Sequence, residues 1–221
     1  MRLLFRLCIV MAPWPLKRLL LCRLYGYQLH ATSHIGWAWV YPKRLVMSSH
    51  SRIGHLTVCK GMELLVLGEH ASIGRLNWIS AYPADLAPHF VHRSMRQPQL
   101  LVGEHAAITN RHIIDCTEQI NIGRFATVAG YRSQLLTHSI DLHECRQDAK
   151  PITIGKYCFI GTACTILGGT SIPDFSVAGA NALLNKAYEE PYRLYAGVPA
   201  KAVAQLDPKM KYFTRSVGFV T

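Results

Sequence analysis

The sequence predicts an all-β solenoid, and three observations predict it. From Ile154 to Lys186 the chain falls into sixes, opened in turn by Ile154, Ile160, Ile166, Ile172, Ala178 and Leu184. The fifth place of each hexad is small: Cys158, Cys164, Thr170, Ser176 and Ala182. Gly, Pro and Thr recur throughout the stretch, and six does not match a 3.6-residue period, so a helix is excluded. A fixed short period marks a coil whose neighbouring rungs bury one continuous core. The aliphatic residue then fills the interior, and the small one fits where the wall turns.

Taken in order, residues 1–30 predict two short amphipathic helices broken at Pro13-Trp14-Pro15. The run from Met1 to Met11 opens like a signal peptide. Arg6 interrupts it, however, prolines follow at once, and no small-residue cleavage site is present. Neither this run nor Leu16 to Leu24 has the length of a membrane span. Arg2, Arg6, Lys17, Arg18 and Arg23 stand beside Leu, Phe and Trp. Two destinations fit equally: an anionic membrane surface, or packing on the coil end or a neighbouring subunit.

The coil itself is expected over residues 31–187. Its register is weak at first, through Ile35, Tyr41, Met47, Ile53, Cys59 and Leu65, and a two-residue slip restarts it at Leu67, Ile73 and Ile79. Ala81 to Gln99 breaks the pattern with three prolines and with His89, His92, Arg93 and Arg96, as expected for a loop thrown out of one corner. The register returns at Val102, Ile108, Ile114 and Ile120, slips by two, and resumes at Ile122 and Val128. A second insertion is expected at Gln134 to Lys150. Residues 188–221 predict a post-coil turn and a short helix between Asp207 and Arg215.

Lys and Arg outnumber Asp and Glu by 24 to 13, a formal charge of +11, which favours an anionic partner. No arginine-rich run interleaved with aromatics suggests a nucleic-acid groove. The seven cysteines are odd in number and form no C-x-x-C pair, and Cys158 and Cys164 take interior places. They are expected as reduced, mostly buried thiols of a cytoplasmic protein, free to sit peripherally at the inner membrane face.

The hexads, with the closing run Ala196-Gly197-Val198-Pro199-Ala200-Lys201, resemble the hexapeptide-repeat acyltransferases. Within them the sugar and polysaccharide O-acetyltransferases are most similar, and the match is specific from about Asn110 to Lys201. The resemblance implies a left-handed parallel β-helix of triangular coils. It also implies a homotrimer with each active site between two coils. The implied reaction moves acetyl from acetyl-CoA to a hydroxyl of a sugar or glycan acceptor in surface-polysaccharide biosynthesis, and no metal is expected.

Such a transfer needs a base for the hydroxyl proton and donors for the developing oxyanion. Histidine suits the first role, and backbone N–H groups of a tight coil suit the second. His138, in Leu136-Thr137-His138-Ser139-Ile140-Asp141, stands where the family has its catalytic histidine. Asn110, in Asn110-Arg111-His112-Ile113-Ile114-Asp115, resembles the family's Asn-x-x-Ile-x-Asp segment and is the expected acceptor contact, with His112 its rival. Asp141 or Glu144 is the candidate to orient His138. The resemblance places acetyl-CoA at Phe159, Thr162 and Ala180, with Ala182 also leaving room for the pantetheine arm. Its nucleotide end is implied near Asn185, Lys186 and Lys201, although relatives carry Thr-Lys where this chain has Asn185-Lys186.

Two other readings use the same coil. A γ-class carbonic anhydrase would take His138, His143 and either His105 or His112 as metal ligands. A non-catalytic trimeric scaffold would use the basic, apolar start for assembly or membrane attachment.

Overall fold

The computed structural model describes residues 2–85 and 89–220; the centre of the 81–99 insertion and both chain ends, included in the expected segments, lie outside the described residues. Among those residues the strands line up in three long sheets, the walls of a three-sided coil. Wall A runs from Gln28–Leu29 to Ser171–Ile172, wall B begins at His34–Ile35, and wall C runs from Trp39–Tyr41 to Leu183–Leu184. Successive coils pair in parallel, as at Ile120 with Ile152, Thr127 with Phe159 and Gln134 with Thr165.

The hexads are these walls. Every first-place residue from Ile154 to Leu184, and every small fifth-place residue, is at most 1 % exposed. The two-residue slips have a simple cause. Wall A is longer than the others, so Leu65 and Leu67, Leu100 and Val102, and Ile120 and Ile122 all point inward in pairs. Two extra residues leave the inward face unchanged because side chains alternate with period two. In the first coil Val40 takes the interior place expected for Tyr41, whose hydroxyl instead donates to Arg6 O at 3.0 Å.

Two of the corners have their own internal order. Between walls B and C, fifth-place side chains form a hydrogen-bonded relay down the inside of the coil. Thr57 accepts from Asn77 N–H, Asn77 from His112 N–H, His112 Nδ1 from Ser133 N–H, and Ser133 from Cys164 N–H. Between walls A and B, one residue per coil takes positive φ: His50, His70, His105, Phe125, Tyr157, Phe175 and Tyr192. Their rings stack in one column at centroid spacings of 4.7–5.4 Å, close to the distance between neighbouring strands.

Both ends are closed. Helices α1 (Arg2–Met11) and α2 (Trp14–Tyr25) cap the first coil. Lys17 is buried there and donates from Nζ to Gly36 O at 2.6 Å, and burial lowers its pKa to about 8. At the far end wall B continues past residue 187: Leu194 and Tyr195 pair with Val177 and Ala178. Gly197-Val198-Pro199 then turns the chain into Ala200–Gln205, which folds back antiparallel. Helix α3 (Lys211–Thr214) follows, and the tail lies along the aromatic column. Tyr157 donates to Arg215 O, and Gly218 N–H donates to His105 Nδ1 at 3.2 Å.

Both insertions leave the corner between walls C and A. The first joins Trp78–Ser80 to Gln99–Val102. In the second, Gln134–Leu136 stays in wall C, because Leu135 fills the core and the strand pairs on both sides. The inserted part is an antiparallel hairpin, His138–Asp141 against Arg146–Ala149. No helix among the described residues is long and apolar enough to cross a membrane.

Candidate active site

His138 opens the inserted hairpin, separated only by Thr137 from Leu136, where the wall-C strand ends. Thr137 fixes that exit: it is buried and its hydroxyl donates to Asp115 O at 2.8 Å, one coil below. Asp115 lies beside Leu136 in the ladder, so its carboxylate comes up against the imidazole, Oδ2 to Nδ1 3.9 Å. Its other oxygen accepts from Thr117 N–H at 2.9 Å and from the Thr117 hydroxyl at 2.6 Å, which holds the group in place. On the other side of the ring the Gln147 carboxamide oxygen closes on Nε2. By turning about its last bond this group can offer either oxygen or NH₂ to that nitrogen. Asp141, three residues on in an extended strand, points away and caps the hairpin turn, accepting from His143 N–H and Glu144 N–H. The carboxylate at His138 is therefore Asp115, not Asp141 or Glu144.

The first insertion roofs the site. Tyr82 and Phe90 place their rings 6.1 and 5.6 Å from the His138 ring. Arg96 secures this roof from within, donating to Tyr82 O, Thr117 O and Pro83 O at 2.5–2.8 Å while lying 4.2 Å over the Phe90 ring. Arg93 bonds to Asp148 of the hairpin at 2.7 Å, so the two insertions are clasped together. Burial pushes the Asp148 carboxyl up, but Arg93 and the Ala149 amide together hold it below the usual carboxylate range. Gln147, Tyr82 and Phe90 carried no signal in the sequence. Asp115 carried one only as the last residue of the Asn-x-x-Ile-x-Asp segment that opens at Asn110; its place beside Leu136, 21 residues on, is set by the ladder.

Asn110 sits at another corner, between walls B and C. Its Oδ1 accepts Arg75 N–H at 2.8 Å and braces the turn of the coil below. Gly74 is required there, because a Cβ would stand 2.3 Å from Thr109 O and 2.6 Å from Asn110 Oδ1. Thr162 and Ala180 continue the same corner upward. Thr162 Oγ1 bonds both the amide and the carbonyl of Tyr131, and Gly130 below it has no room for a Cβ. Two adjoining surface cavities of about 340 and 380 Å³ open here, lined by Arg75, Asn110, Arg111, Tyr131, Arg132 and Thr162. Among the described residues no carboxylate pairs with any of these three arginines.

The remaining expected residues are scattered. Phe159 lies on the outside of wall B, half-buried under Tyr212. Asn185 and Lys186 follow the last strand of wall C, with Lys186 over the Tyr188 ring, and Lys201 is exposed on the final strand. Ala182 faces the core, where no pantetheine arm can reach it. Within one chain, then, His138 and the Asn110–Thr162–Ala180 corner occupy opposite edges of wall C.

His112, the rival to Asn110, is a core residue: 1 % exposed, its Nε2 3.0 Å from Thr109 Oγ1, and lowered to about 4 by burial. The metal reading scatters in the same way. His105 belongs to the A–B column, His112 to the B–C interior, and His138 and His143 to the inserted hairpin. No three His, Cys, Asp or Glu side chains converge among the described residues.

No protein-family model matches the sequence, and no curated protein does. Solved structures do match. The polysialic acid O-acetyltransferase OatWY is 20% identical, with a TM-score of 0.58 over 81% of this chain and 84% of its own. The N-acyltransferase AntD from Bacillus cereus, in complex with dTDP-4-amino-4,6-dideoxyglucose and coenzyme A, is 14% identical at a TM-score of 0.54, covering 78% and 86%. AntD with dTDP and 3-hydroxybutyryl-CoA is 13% identical at 0.54, covering 89% of each chain. These likenesses show the fold: the solenoid expected from the hexads, in the form of the left-handed parallel β-helix that the resemblance implies.

Proposed function

We propose that the protein is an acetyl-CoA-dependent O-acetyltransferase acting in the cytoplasm on a hydroxyl of a sugar or glycan, with His138 as general base. One observation carries this reading: an imidazole held between Asp115 and Gln147 under an aromatic roof, at an interruption of the coil. The fold it shares with OatWY and AntD supports acyl transfer, and their names, a polysialic acid O-acetyltransferase and an enzyme holding a dTDP-sugar, support a sugar acceptor.

The acceptor hydroxyl displaces the Gln147 carboxamide from Nε2 and gives its proton to that nitrogen. Its oxygen attacks the acetyl carbonyl carbon. The C–S bond then breaks, and the imidazolium returns the proton to the departing thiolate, leaving an ester and free CoA. Asp115 steadies the imidazolium while it exists. Cys158 and Cys164 take no part: both are buried, and burial raises the Cys158 thiol to about 12.

Acetyl-CoA lies along the Asn110–Thr162–Ala180 corner, where Arg75, Arg111 and Arg132, paired with no carboxylate among the described residues, supply positive charge for phosphates. Because that corner and His138 stand on opposite edges of wall C, a complete centre needs His138 of one copy and the arginine corner of its neighbour. In keeping with the family resemblance, the active unit is a homotrimer. Trp78 and Ile113 on wall C, with Leu56 and Leu76 at its edge, expose the apolar surface for that contact. The acceptor enters beside Tyr82 and Phe90, in keeping with a role in surface-polysaccharide assembly.

The test is acetyl-CoA turnover, read as free thiol, against sugars, amino sugars, nucleotide sugars and lipid-linked glycans. His138→Ala is expected to lose about a hundredfold to ten-thousandfold in kcat while remaining trimeric by sedimentation. Absence of turnover together with absence of CoA binding by the wild type would sink the reading. Full activity in the mutant would remove His138 from the chemistry.

A further inference from the structure

The helical cap uses only one of its faces. Ile9 and Leu21 are buried in the core of the first coil, Lys17 is 3 % exposed and tied to Gly36 O, and Arg18 donates to Leu29 O at 2.9 Å. Arg6 lies 4.8 Å over the Tyr41 ring. These contacts fix how the helix pair sits on the coil. The opposite face is left bare: Leu3, Leu4, Met11, Leu16, Leu19 and Leu24 are 49–68 % exposed, with the Trp37 ring also exposed at the neighbouring corner. So many large apolar side chains held in water by a rigid support mark a surface meant to be covered.

Charge says by what. Nine of the 24 Lys and Arg residues, and none of the 13 Asp and Glu, precede Glu63. The first 62 residues therefore hold nine of the eleven net positive charges, since the rest of the chain sets 15 bases against 13 acids. A second copy of this cap would bring the same positive charge to the contact and be repelled. An anionic bilayer meets both halves of the surface, taking the leucines into its acyl boundary and the exposed Arg23, which unlike Arg6, Lys17 and Arg18 is not held against the coil, at its phosphates. At 10 and 12 residues, separated by Pro13, the helices are too short to span and suited to lying in the interface plane.

We propose that the cap of α1 and α2 docks the protein on an anionic membrane surface through its outer apolar face. The coil then stands on the bilayer by its first rung, with the walls and their corners rising from it. This does not depend on the acetyltransfer reading, because no residue of the cap belongs to the candidate active site.

The experiment is sedimentation of the purified full-length chain with vesicles of phosphatidylcholine, with and without phosphatidylglycerol. Binding is expected to the anionic vesicles, to weaken in high salt, and to fall about fivefold in Arg23→Gln, the share of one basic residue at such a surface. The double variant Leu4→Glu/Leu19→Glu changes two exposed side chains. It is expected to lose at least tenfold in binding with an unchanged melting curve and unchanged turnover. Equal binding to neutral and anionic vesicles, binding to neither, or wild-type binding by the double variant would overturn the proposal. So would a change of oligomeric state in that variant without any vesicle binding by the wild type, which would assign the face to contacts between copies.

Discussion

His112 stands two residues from Asn110, yet its side chain enters the coil while Asn110 stays at the surface. Which of the two could meet a substrate was decided by the turn between walls B and C, where fifth-place residues point inward. Inside, burial keeps the ring neutral, with a pKa of about 4 against about 6.5 unfolded. As pH falls below about 6.5 the unfolded chain takes up the proton first. Stability on the order of 3 kcal/mol is then lost down to about pH 4 and retained above 6.5. Melting temperature followed across that range should show the loss in the wild type and a flatter profile in His112→Asn. Asp115 gives a second prediction at this scale. Asp115→Asn should lower kcat by about ten- to a hundredfold with the KM for acetyl-CoA unchanged, because the carboxylate supports the imidazolium and not the cofactor. A raised KM with unaltered kcat would show that Asp115 shapes a binding surface instead.

Among the elements, the two insertions act as one. The second has its own hairpin ladder and the first does not, and the two are held together and against the coil through Arg96 and the Arg93–Asp148 bond. Arg96→Ala would leave three carbonyls without their donor and free Phe90 from its cation. The expected cost is about 2 kcal/mol in stability, together with a rise in KM for the acceptor as the roof over His138 loosens. Limited proteolysis provides the check, with faster cleavage between Ala81 and Pro98 expected in the variant. Cleavage at the wild-type rate would mean that the Arg93 clasp is sufficient by itself.

At the scale of the whole molecule, the tail from Asp207 onward ties the last coil to the middle of the aromatic column. Arg215 spans the Phe125 and Tyr157 rings, Tyr212 covers Phe159, and Gly218 lies so near His105 that a Cβ would meet its carbonyl at 2.4 Å. A chain ending at Leu206 should therefore melt lower by several degrees, having exposed three aromatic rings worth on the order of 1 kcal/mol each. An unchanged melting curve would show the tail to be an ornament on an already complete coil.

The sequence by itself determined the coil, because its constraint is local. Each hexad must supply one aliphatic group and one small group regardless of what lies elsewhere, so Ile154 to Leu184 could be placed without any knowledge of the neighbours. The two end helices and the approximate places of both insertions were legible for the same reason, as breaks in that period, although the second begins only after Gln134–Leu136, which remains in wall C. Only the tertiary structure decided which residues meet across coils. Asp115 and Gln147 reach His138 from 23 residues before it and nine residues after it, and Tyr82 and Phe90 come from a different insertion. The corner of each expected residue also depended on the two-residue lengthening of wall A, which changes the count along the chain without disturbing the period. That is why the sequence neighbours of His138 point to Asp141 while the structure sets Asp115 beside it: proximity in sequence says little in a coil whose contacts lie about twenty residues apart.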